Sequence, residues 1–408
     1  MKTTKLLLFN LIFITFLVIT FTSCEKEEST PSGEFYSSLK KVKQYTHKQA
    51  NDLFVAFTIG NPAYSSIVQN CKYDVEVYEI IYTTTYKNAN IEASALVCIP
   101  KGVTEALPIL SFQNGTITNN NQAPTQNLQQ FEFQAVHSLA SLGYIVVMPD
   151  FIGFGKSAGR VPPYMHYESN TNSVIDLVKA VKEASTNKDL SSAFNNDLYL
   201  LGYSFGGWLT LATHREIELK HTEYKVVASA CGAGPYSLTA VKDYMLSVEN
   251  YPQPYYLAYV FQSFSGLGII NTPSAELFKE PYASRVPTLF TDVNATNDIN
   301  SQLTQKVADL ITDNYIKNSE TAPVFNAMSQ AMKGNSIEAW LTQSRIRFYH
   351  GTDDDNIPPS LSVNMHKAMI DKGNAAEKIE YFSLPGDHTT AAIPALLSSI
   401  AWFTELKK

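Results

Sequence analysis

The fold is decided by one stretch of the sequence, Leu198-Tyr199-Leu200-Leu201-Gly202-Tyr203-Ser204-Phe205-Gly206-Gly207. Its first four residues are apolar and predict a buried strand, and residues 208–217 continue with apolar side chains at helical spacing. Glycines on both sides of Ser204 let the chain turn tightly between strand and helix. A serine in this setting is typical of a nucleophile elbow, whereas a glycine-rich turn that only packs a helix onto a sheet is the alternative interpretation.

A nucleophilic serine requires a base, because its hydroxyl is a poor nucleophile at neutral pH. A histidine normally supplies the base, and a carboxylate holds that histidine in the right tautomer. His388 follows a predicted strand at residues 378–384, so it lies on a loop where side chains from different strands can converge. The other histidines after Ser204 lie in or next to predicted helices, or inside a strand: His214, His221, His350 and His366. Alternatively, His388 is a helix-start residue with an ordinary hydrogen bond.

The carboxylate is less clearly defined, because three consecutive aspartates follow the predicted strand at residues 345–350. They are Asp353, Asp354 and Asp355. Any of them could be a solvated loop charge or a local turn cap. The residue pattern alone therefore leaves the choice of acid open.

Acyl transfer also requires hydrogen-bond donors for the developing oxyanion. The backbone N–H of Phe205, directly after the serine, is expected to be one of them. The loop after the predicted strand at residues 107–112 is expected to supply the other, with Thr116 preferred and Gly115 as the alternative. A glycine in that loop lets the backbone approach a substrate closely. An ordinary surface loop is the competing interpretation.

Four segments together resemble the secretory lipase family of the α/β-hydrolases and occur in that family's order. They are residues 111–116, 143–157, 202–207 and 234–238. The resemblance covers residues 50–400 and implies an α/β-hydrolase fold, with a mostly parallel central sheet flanked by helices and an inserted helical cap. It further implies a serine hydrolase that cleaves carboxylic esters through a Ser-Asp-His triad, with no cofactor or metal.

The resemblance selects the catalytic acid. In the family, the acid stands three residues after the glycine that ends its strand and four before a proline, and both Gly351 and Pro358 then indicate Asp354. The family's nucleophile falls on Ser204 and its base on His388.

One segment departs from the family's pattern, and another resembles the family without supplying a catalytic residue. The family often has His-Gly at the oxyanion loop, where this chain has Asn114-Gly115. This departure still allows a backbone donor from the loop, but the resemblance then implies no catalytic role for the Asn114 side chain. His166 lies in a segment that also resembles the family, and we interpret it as structural or pocket-lining.

The predicted domain organisation is one α/β domain with an insertion. The core comprises residues 49–239 and 341–408, and it opens with two antiparallel strands at 73–85 and 90–100. The alternation of strands and helices breaks over residues 240–340, which we interpret as a helical cap rich in tyrosine and phenylalanine. These aromatic side chains either line an acyl pocket or form the cap's own core.

The amino terminus resembles a bacterial lipoprotein signal. A basic start precedes an apolar run at residues 6–21, and Cys24 follows directly. This predicts a signal peptide at 1–23, lipidation of Cys24, a tether at 24–48 and attachment to the outer membrane of the cell envelope. A spanning helix is the alternative, but the run is shorter than the roughly 20 residues that a bilayer requires.

The composition excludes other classes of function. The net charge is −7 with no basic cluster, which argues against nucleic acid as a partner. Apart from Cys24, the three cysteines show neither a disulfide framework nor zinc-ligand spacing. The expected substrate is a small-molecule ester or lipid. The alternatives are a glycan acyl esterase with the same triad, a prolyl-type peptidase, and a non-catalytic surface lipoprotein that binds glycan or lipid.

Overall fold

The computed structural model describes residues 33–58 and 64–407. These residues form a nine-stranded sheet. Its strands are β1 (Tyr36–Tyr45), β2 (Val75–Tyr86), β3 (Ala89–Pro100), β4 (Leu107–Gln113), β5 (Ile145–Pro149), β6 (Phe194–Tyr203), β7 (Lys225–Gly232), β8 (Arg345–Gly351) and β9 (Ile379–Leu384). Their order across the sheet is β1-β2-β3-β5-β4-β6-β7-β8-β9.

The sheet is mostly parallel, as the sequence predicted. The first three pairings, from β1 to β5, are antiparallel, and all pairings from β5 onward are parallel. The central strands β4 and β5 are buried along their whole length, because helices cover both faces of a parallel sheet and leave no solvent-facing side.

Fifteen helices surround the sheet within the described residues. They are α1 (His47–Thr58), α2 (Ser65–Asn70), α3 (Phe131–Ser138), α4 (Tyr167–Thr186), α5 (Phe205–Lys220), α6 (Leu238–Ser247), α7 (Tyr255–Gly266), α8 (Ser274–Leu277), α9 (Tyr282–Leu289), α10 (Thr296–Asn300), α11 (Val307–Leu310), α12 (Asp313–Asn318), α13 (Asn326–Gly334), α14 (Ser360–Asp371) and α15 (Ala392–Leu406). Helices α1, α3 and α15 share an apolar cluster with one face of the sheet, and α4 shares another with the opposite face.

The segment between β7 and β8 contains eight short helices, α6 to α13, and coincides with the stretch that the sequence assigns to a cap. Many of its apolar residues belong to the same buried cluster as α5, the helix after the elbow. One row of aromatic rings shows this contact. The ring centroids of Tyr164 and Phe205 are 5.2 Å apart. Tyr259 stacks on Tyr164 with centroids 4.2 Å apart, and Phe290 stacks on Tyr259 with centroids 4.5 Å apart. The inserted helices therefore pack directly onto the elbow.

The predicted hairpin between the first two core strands is confirmed. Strands β2 and β3 pair in register from Val75 with Pro100 to Tyr86 with Ala89. The two residues between them, Lys87 and Asn88, have φ of 49° and 60°. Two positive φ angles are typical of the tight hairpin turn that matches the twist of the flanking strands.

The tether predicted over residues 24–48 requires a correction, because β1 occupies Tyr36–Tyr45 and forms an edge strand paired with β2. In β1 only the two terminal tyrosines are buried, so the strand lacks the apolar alternation that would have indicated it. Its start is anchored by Glu183 of α4, whose carboxylate accepts hydrogen bonds from the backbone N–H groups of Phe35 and Tyr36 at 2.9 and 2.8 Å.

The described residues contain no helix long and apolar enough to cross a membrane. The predicted signal peptide and Cys24 lie outside the described residues. The cysteines within them, Cys71, Cys98 and Cys231, are buried free thiols.

A carboxylate whose side chain is 11% exposed joins the end of the cap segment to the core. Glu218 of α5 accepts hydrogen bonds from Trp340 Nε1 and Ser344 Oγ, each at 2.7 Å, and from the backbone N–H of Gln343 at 3.0 Å. Burial alone would raise the pKa of Glu218, but hydrogen bonds from His214, Trp340 and Ser344 bring it down to about 2. Glu218 therefore fixes the chain where it returns from the cap to β8.

We expect Glu218→Gln to lower the free energy of unfolding at pH 7 by about 1–3 kcal/mol, because the charged acceptor is lost. The pKa of Glu218 is lower in the folded chain than its ordinary 4.5. Its contribution is therefore complete above pH 4.5 and declines as the pH falls toward about 2. Denaturant unfolding across this range measures the effect. Glu338→Gln, at a side chain that is 84% exposed, is the control and should change little. An equal loss in both variants would contradict the assignment.

Candidate active site

The serine lies on a strained turn between β6 and α5. Ser204 has φ of 59°, a region that residues other than glycine rarely adopt. Its backbone N–H donates to the Gly232 carbonyl at 2.8 Å. A Cβ atom on Gly206 would lie 1.9 Å from the Gln113 carbonyl oxygen, and one on Gly202 would lie 2.3 Å from the Gly206 carbonyl oxygen. The turn therefore requires both glycines that the sequence singled out.

The register of the parallel strands brings the other two predicted residues to the same edge of the sheet. Gly232 of β7 pairs with Tyr349 of β8, and Gly351 of β8 pairs with Leu384 of β9, so the carboxyl ends of these strands are aligned. Asp354 follows β8 and His388 follows β9.

The three predicted side chains form a continuous hydrogen-bonded row. His388 Nε2 lies 2.9 Å from Ser204 Oγ, and His388 Nδ1 lies 2.6 Å from Asp354 Oδ2. A carboxylate can only accept, so Nδ1 carries the proton of the neutral ring and Nε2 is free to accept from the serine hydroxyl. This is the arrangement that can remove a proton from serine.

Asp354 is the buried member of the three consecutive aspartates. It is 4% exposed, whereas Asp353 and Asp355 are exposed. Its Oδ1 accepts from the backbone N–H groups of Asn356 and Ile357 at 3.1 and 2.8 Å. Burial alone would raise its pKa, but hydrogen bonds, chiefly from two histidines, bring the pKa of Asp354 to about 2. Asp354 is therefore ionised at neutral pH.

His350 is a site residue that the sequence did not reveal. Its Nε2 faces the Ile357 carbonyl at 2.8 Å and Asp354 Oδ2 at 3.1 Å, while its Nδ1 lies 2.7 Å from Ser362 Oγ. A carbonyl cannot donate, so Nε2 carries the proton and also faces the carboxylate. His350 thus contacts the same oxygen of Asp354, Oδ2, that faces His388. Its position four residues before the acid was the only available signal.

A tyrosine next to the nucleophile holds the histidine loop. The Tyr203 hydroxyl donates to the His388 carbonyl at 2.8 Å. Because Tyr203 ends β6 and Ser204 follows it directly, the strand that leads to the nucleophile also positions the backbone of the base. This contact links two residues that are 185 positions apart in the sequence.

The loop predicted to supply an oxyanion donor lies against the elbow. The carbonyl oxygen of Asn114, directly after β4, would be 2.9 Å from a Cβ atom on Gly206. Thr116 Oγ1 lies 2.9 Å from the Tyr164 hydroxyl, and the Tyr164 ring contacts Phe205. Phe205 is the first residue of α5, where backbone N–H groups have no acceptor within the helix. The structure therefore brings the two segments together, and the donor roles of Phe205 and Thr116, with Gly115 as the alternative, stay predictions.

A narrow, largely apolar cavity opens beside the serine. Most of its wall comes from helices α6, α7 and α13 of the cap segment. Its lining residues are Tyr164, Met165, Ser204, Pro235, Leu238, Val241, Lys242, Met245, Tyr256, Leu257, Val260, Met332 and Ile357. One residue of this lining carries a full charge, Lys242, which is only 1% exposed. Its ammonium is paired with Glu320 and lies 3.2 Å from Ser319 Oγ, so the charge is neutralised away from the cavity.

His166 has a structural position, one of the two roles that the sequence left open. It caps the amino terminus of α4, with its side chain accepting from the Ser169 backbone N–H. Within residues 33–58 and 64–407, no group of three or more His, Cys, Asp or Glu side chains could hold a metal ion.

The combination of this sheet, a serine on a strand-to-helix turn and an inserted set of helices is the α/β-hydrolase fold. Solved structures agree. A Legionella pneumophila protein has 21% identity and a TM-score of 0.79, over 92% of this chain and 99% of that one. The rice cell wall degrading esterase LipA from Xanthomonas oryzae has 22% identity and a TM-score of 0.72, over 91% and 95%. Candida antarctica lipase A in its closed state has 16% identity and a TM-score of 0.63, over 90% and 82%.

The chain belongs to the serine aminopeptidase family S33. The family's sequence profile matches residues 129–382, more than half of the chain, and this span includes both Ser204 and Asp354. By family the protein is therefore a serine hydrolase. No curated protein shows significant sequence similarity to it.

Proposed function

We propose that this protein is a serine esterase or lipase that cleaves carboxylic esters through an acyl-enzyme. The observation that carries the proposal is the hydrogen-bonded row from Asp354 through His388 to Ser204, placed beside an apolar cavity. The row supplies an activated nucleophile, and the cavity supplies a place for an apolar acyl group.

In the proposed reaction, Ser204 Oγ bonds to the ester carbonyl carbon as its proton moves to His388 Nε2. Asp354 stabilises the resulting imidazolium through Nδ1, and backbone N–H groups of Phe205 and Thr116 hold the oxyanion. The carbon–oxygen bond to the alcohol then breaks, and His388 returns a proton to the leaving alcohol. Water then bonds to the acyl carbon as His388 takes its proton. The bond from that carbon to Ser204 Oγ breaks, His388 returns the proton to Oγ, and the acid is released.

The cavity supports an ester substrate over a peptide with a free amino terminus. An aminopeptidase has to stabilise the substrate's ammonium group, and a buried charge requires a partner of opposite sign. No carboxylate belongs to the cavity lining among the described residues, and its charged residue is a lysine. Its remaining lining is mostly aliphatic, which suits the acyl chain of an ester.

A panel of substrates tests the proposal. It consists of p-nitrophenyl esters with acyl chains of graded length, an acetylated glycan, and aminoacyl p-nitroanilides. We expect turnover of esters and little turnover of anilides. Preferred turnover of the glycan would favour the glycan acyl esterase. Preferred turnover of anilides, or binding without any turnover, would overturn the ester proposal.

We expect Val241→Phe to shorten the acyl chain that the enzyme accepts, because Val241 lines the cavity and is 8% exposed. The larger ring fills space that a long chain would occupy, and overfilling a packed site costs about 1–3 kcal/mol, or roughly 5- to 150-fold in kcat/KM. The measurement compares acetyl and octanoyl esters, and we expect the loss on octanoyl esters alone. Val293→Phe, at a surface residue that is 65% exposed, is the control. Equal losses on both esters would contradict the assignment of the cavity.

We further propose that the chain is anchored to the outer membrane through a lipid on Cys24, facing either the periplasm or the outside. The sequence of residues 1–28 supports this, with its basic start, apolar run, cysteine and acidic tract. Expression in a Gram-negative bacterium with radiolabelled palmitate tests it. We expect label in the membrane fraction and its loss in Cys24→Ser. Label that persists in Cys24→Ser would overturn the proposal.

A further inference from the structure

The cap segment contributes a tyrosine to the cavity that contains the nucleophile. Tyr256 of α7 and Ser204 line the same cavity. Burial raises the pKa of Tyr256, and hydrogen bonds to Tyr255 and Ser204 oppose that rise. The phenol therefore keeps its proton at neutral pH and is available as a donor.

The hydrogen-bond pattern at Ser204 leaves room for this donor. Because His388 Nδ1 faces a carboxylate, Nε2 has no proton and accepts the one on Ser204 Oγ, 2.9 Å away. The lone pairs of Ser204 Oγ are then free to accept from a second group. Tyr256 is the neighbour in the cavity whose hydroxyl can supply that hydrogen bond.

We propose that Tyr256 is a further catalytic residue, whose hydroxyl donates to Ser204 Oγ in the resting enzyme and to the negatively charged substrate oxygen during reaction. This inference rests on the proposed acyl-enzyme mechanism. As Oγ bonds to the carbonyl carbon, its proton passes to His388 Nε2 and the π electron pair of the carbonyl moves to oxygen. Oγ becomes a weaker acceptor and the carbonyl oxygen a much stronger one. Tyr256 keeps its proton throughout and contributes only a hydrogen bond.

The competing role for Tyr256 is that of a cover. A ring held over Ser204 by the cap would shield the nucleophile from solvent and would have to move before substrate binds. The two roles make opposite predictions. Loss of a donor slows the reaction of Ser204, whereas loss of a contact that only covers the serine leaves it unchanged or faster.

The test compares Tyr256→Phe with Tyr282→Phe, which removes a hydroxyl elsewhere in the cap segment, from a residue outside the cavity lining. The first readout is the rate at which a fluorophosphonate modifies Ser204, because this reaction needs the nucleophile and no particular ester. The second is kcat and KM on an acetyl ester. We expect Tyr256→Phe to lower both the modification rate and kcat by about 10- to 100-fold, with little change in KM. Tyr282→Phe should change the modification rate and kcat by less than about 3-fold, because its hydroxyl lies away from Ser204.

If the fluorophosphonate modifies Ser204 in Tyr256→Phe as fast as in the wild-type chain, or faster, the inference is overturned and Tyr256 acts as a cover. Melting temperatures of the variants exclude a folding defect. Should Tyr256→Phe unfold, Tyr256→Met, which also lacks a donor, must show the same loss. A chain that reacts at Ser204 but hydrolyses no ester would refute the esterase proposal, while the comparison of modification rates would still decide the role of Tyr256.

Discussion

Replacing Ser204 with alanine is expected to lower kcat on a chromogenic ester by about 10⁴- to 10⁶-fold, because the nucleophile of a triad accounts for most of the rate enhancement. The physical reason is the geometry at His388. Its Nε2 lies 2.9 Å from Ser204 Oγ, and without that hydroxyl there is no nucleophile for the base to deprotonate. Steady-state kinetics with active-site titration measure the loss.

The matched control is Ser383→Ala, which removes a hydroxyl from an exposed position on β9, the strand that precedes the histidine loop. It should keep kcat within about 2-fold, since a surface substitution usually changes little. Near-normal turnover by purified Ser204→Ala would contradict the proposed mechanism. Loss in both variants would point to damage of the fold.

Asp354→Asn is the change with the second largest expected effect, a fall in kcat of about 10⁴-fold, because an amide cannot hold the imidazole in the required tautomer or stabilise its charged form. The carboxylate is ionised well below neutral pH, with a pKa of about 2, so the wild-type charge is present throughout the working range. Turnover of the same ester measures the loss.

The adjacent residues provide the controls for this prediction. Asp353→Asn and Asp355→Asn make the same chemical change on exposed side chains of the same loop. Each should keep kcat within about 3-fold, since surface substitutions away from buried networks are usually mild. If either control loses most of its activity while Asp354→Asn loses little, the catalytic acid is the neighbouring aspartate and not Asp354.

The fold could be predicted from the sequence wherever local pattern and tertiary environment agree. The buried run before Ser204, the glycines of the elbow and the hairpin at Lys87 and Asn88 are examples, because their backbone requirements are local. Strand β1 could not be predicted in this way. It lies at the edge of the sheet with mostly solvent-facing side chains, so its existence depends on pairing with β2 and carries little apolar signal.

The candidate site could be predicted only in part, for a related reason. Ser204 and His388 stand beside recognisable turns, and the choice of Asp354 depended on family spacing. What distinguishes Asp354 physically is its burial and its contacts with His350 and His388, and the contact with His388 arises only when strands β8 and β9 align. The sequence placed Tyr256 among the cap aromatics that could line an acyl pocket, but no local pattern singles it out, because its position in the cavity depends on how the cap helices pack onto the elbow.

In the proposed mechanism Ser204 is a nucleophile activated by His388 and Asp354. Peptide mass mapping after reaction with a fluorophosphonate identifies the nucleophile. We expect a single adduct on the peptide that contains Ser204, formed in parallel with the loss of ester turnover and strongly slowed in Asp354→Asn. Full inactivation with the adduct on another residue, or undiminished ester turnover with Ser204 fully modified, would contradict this mechanism.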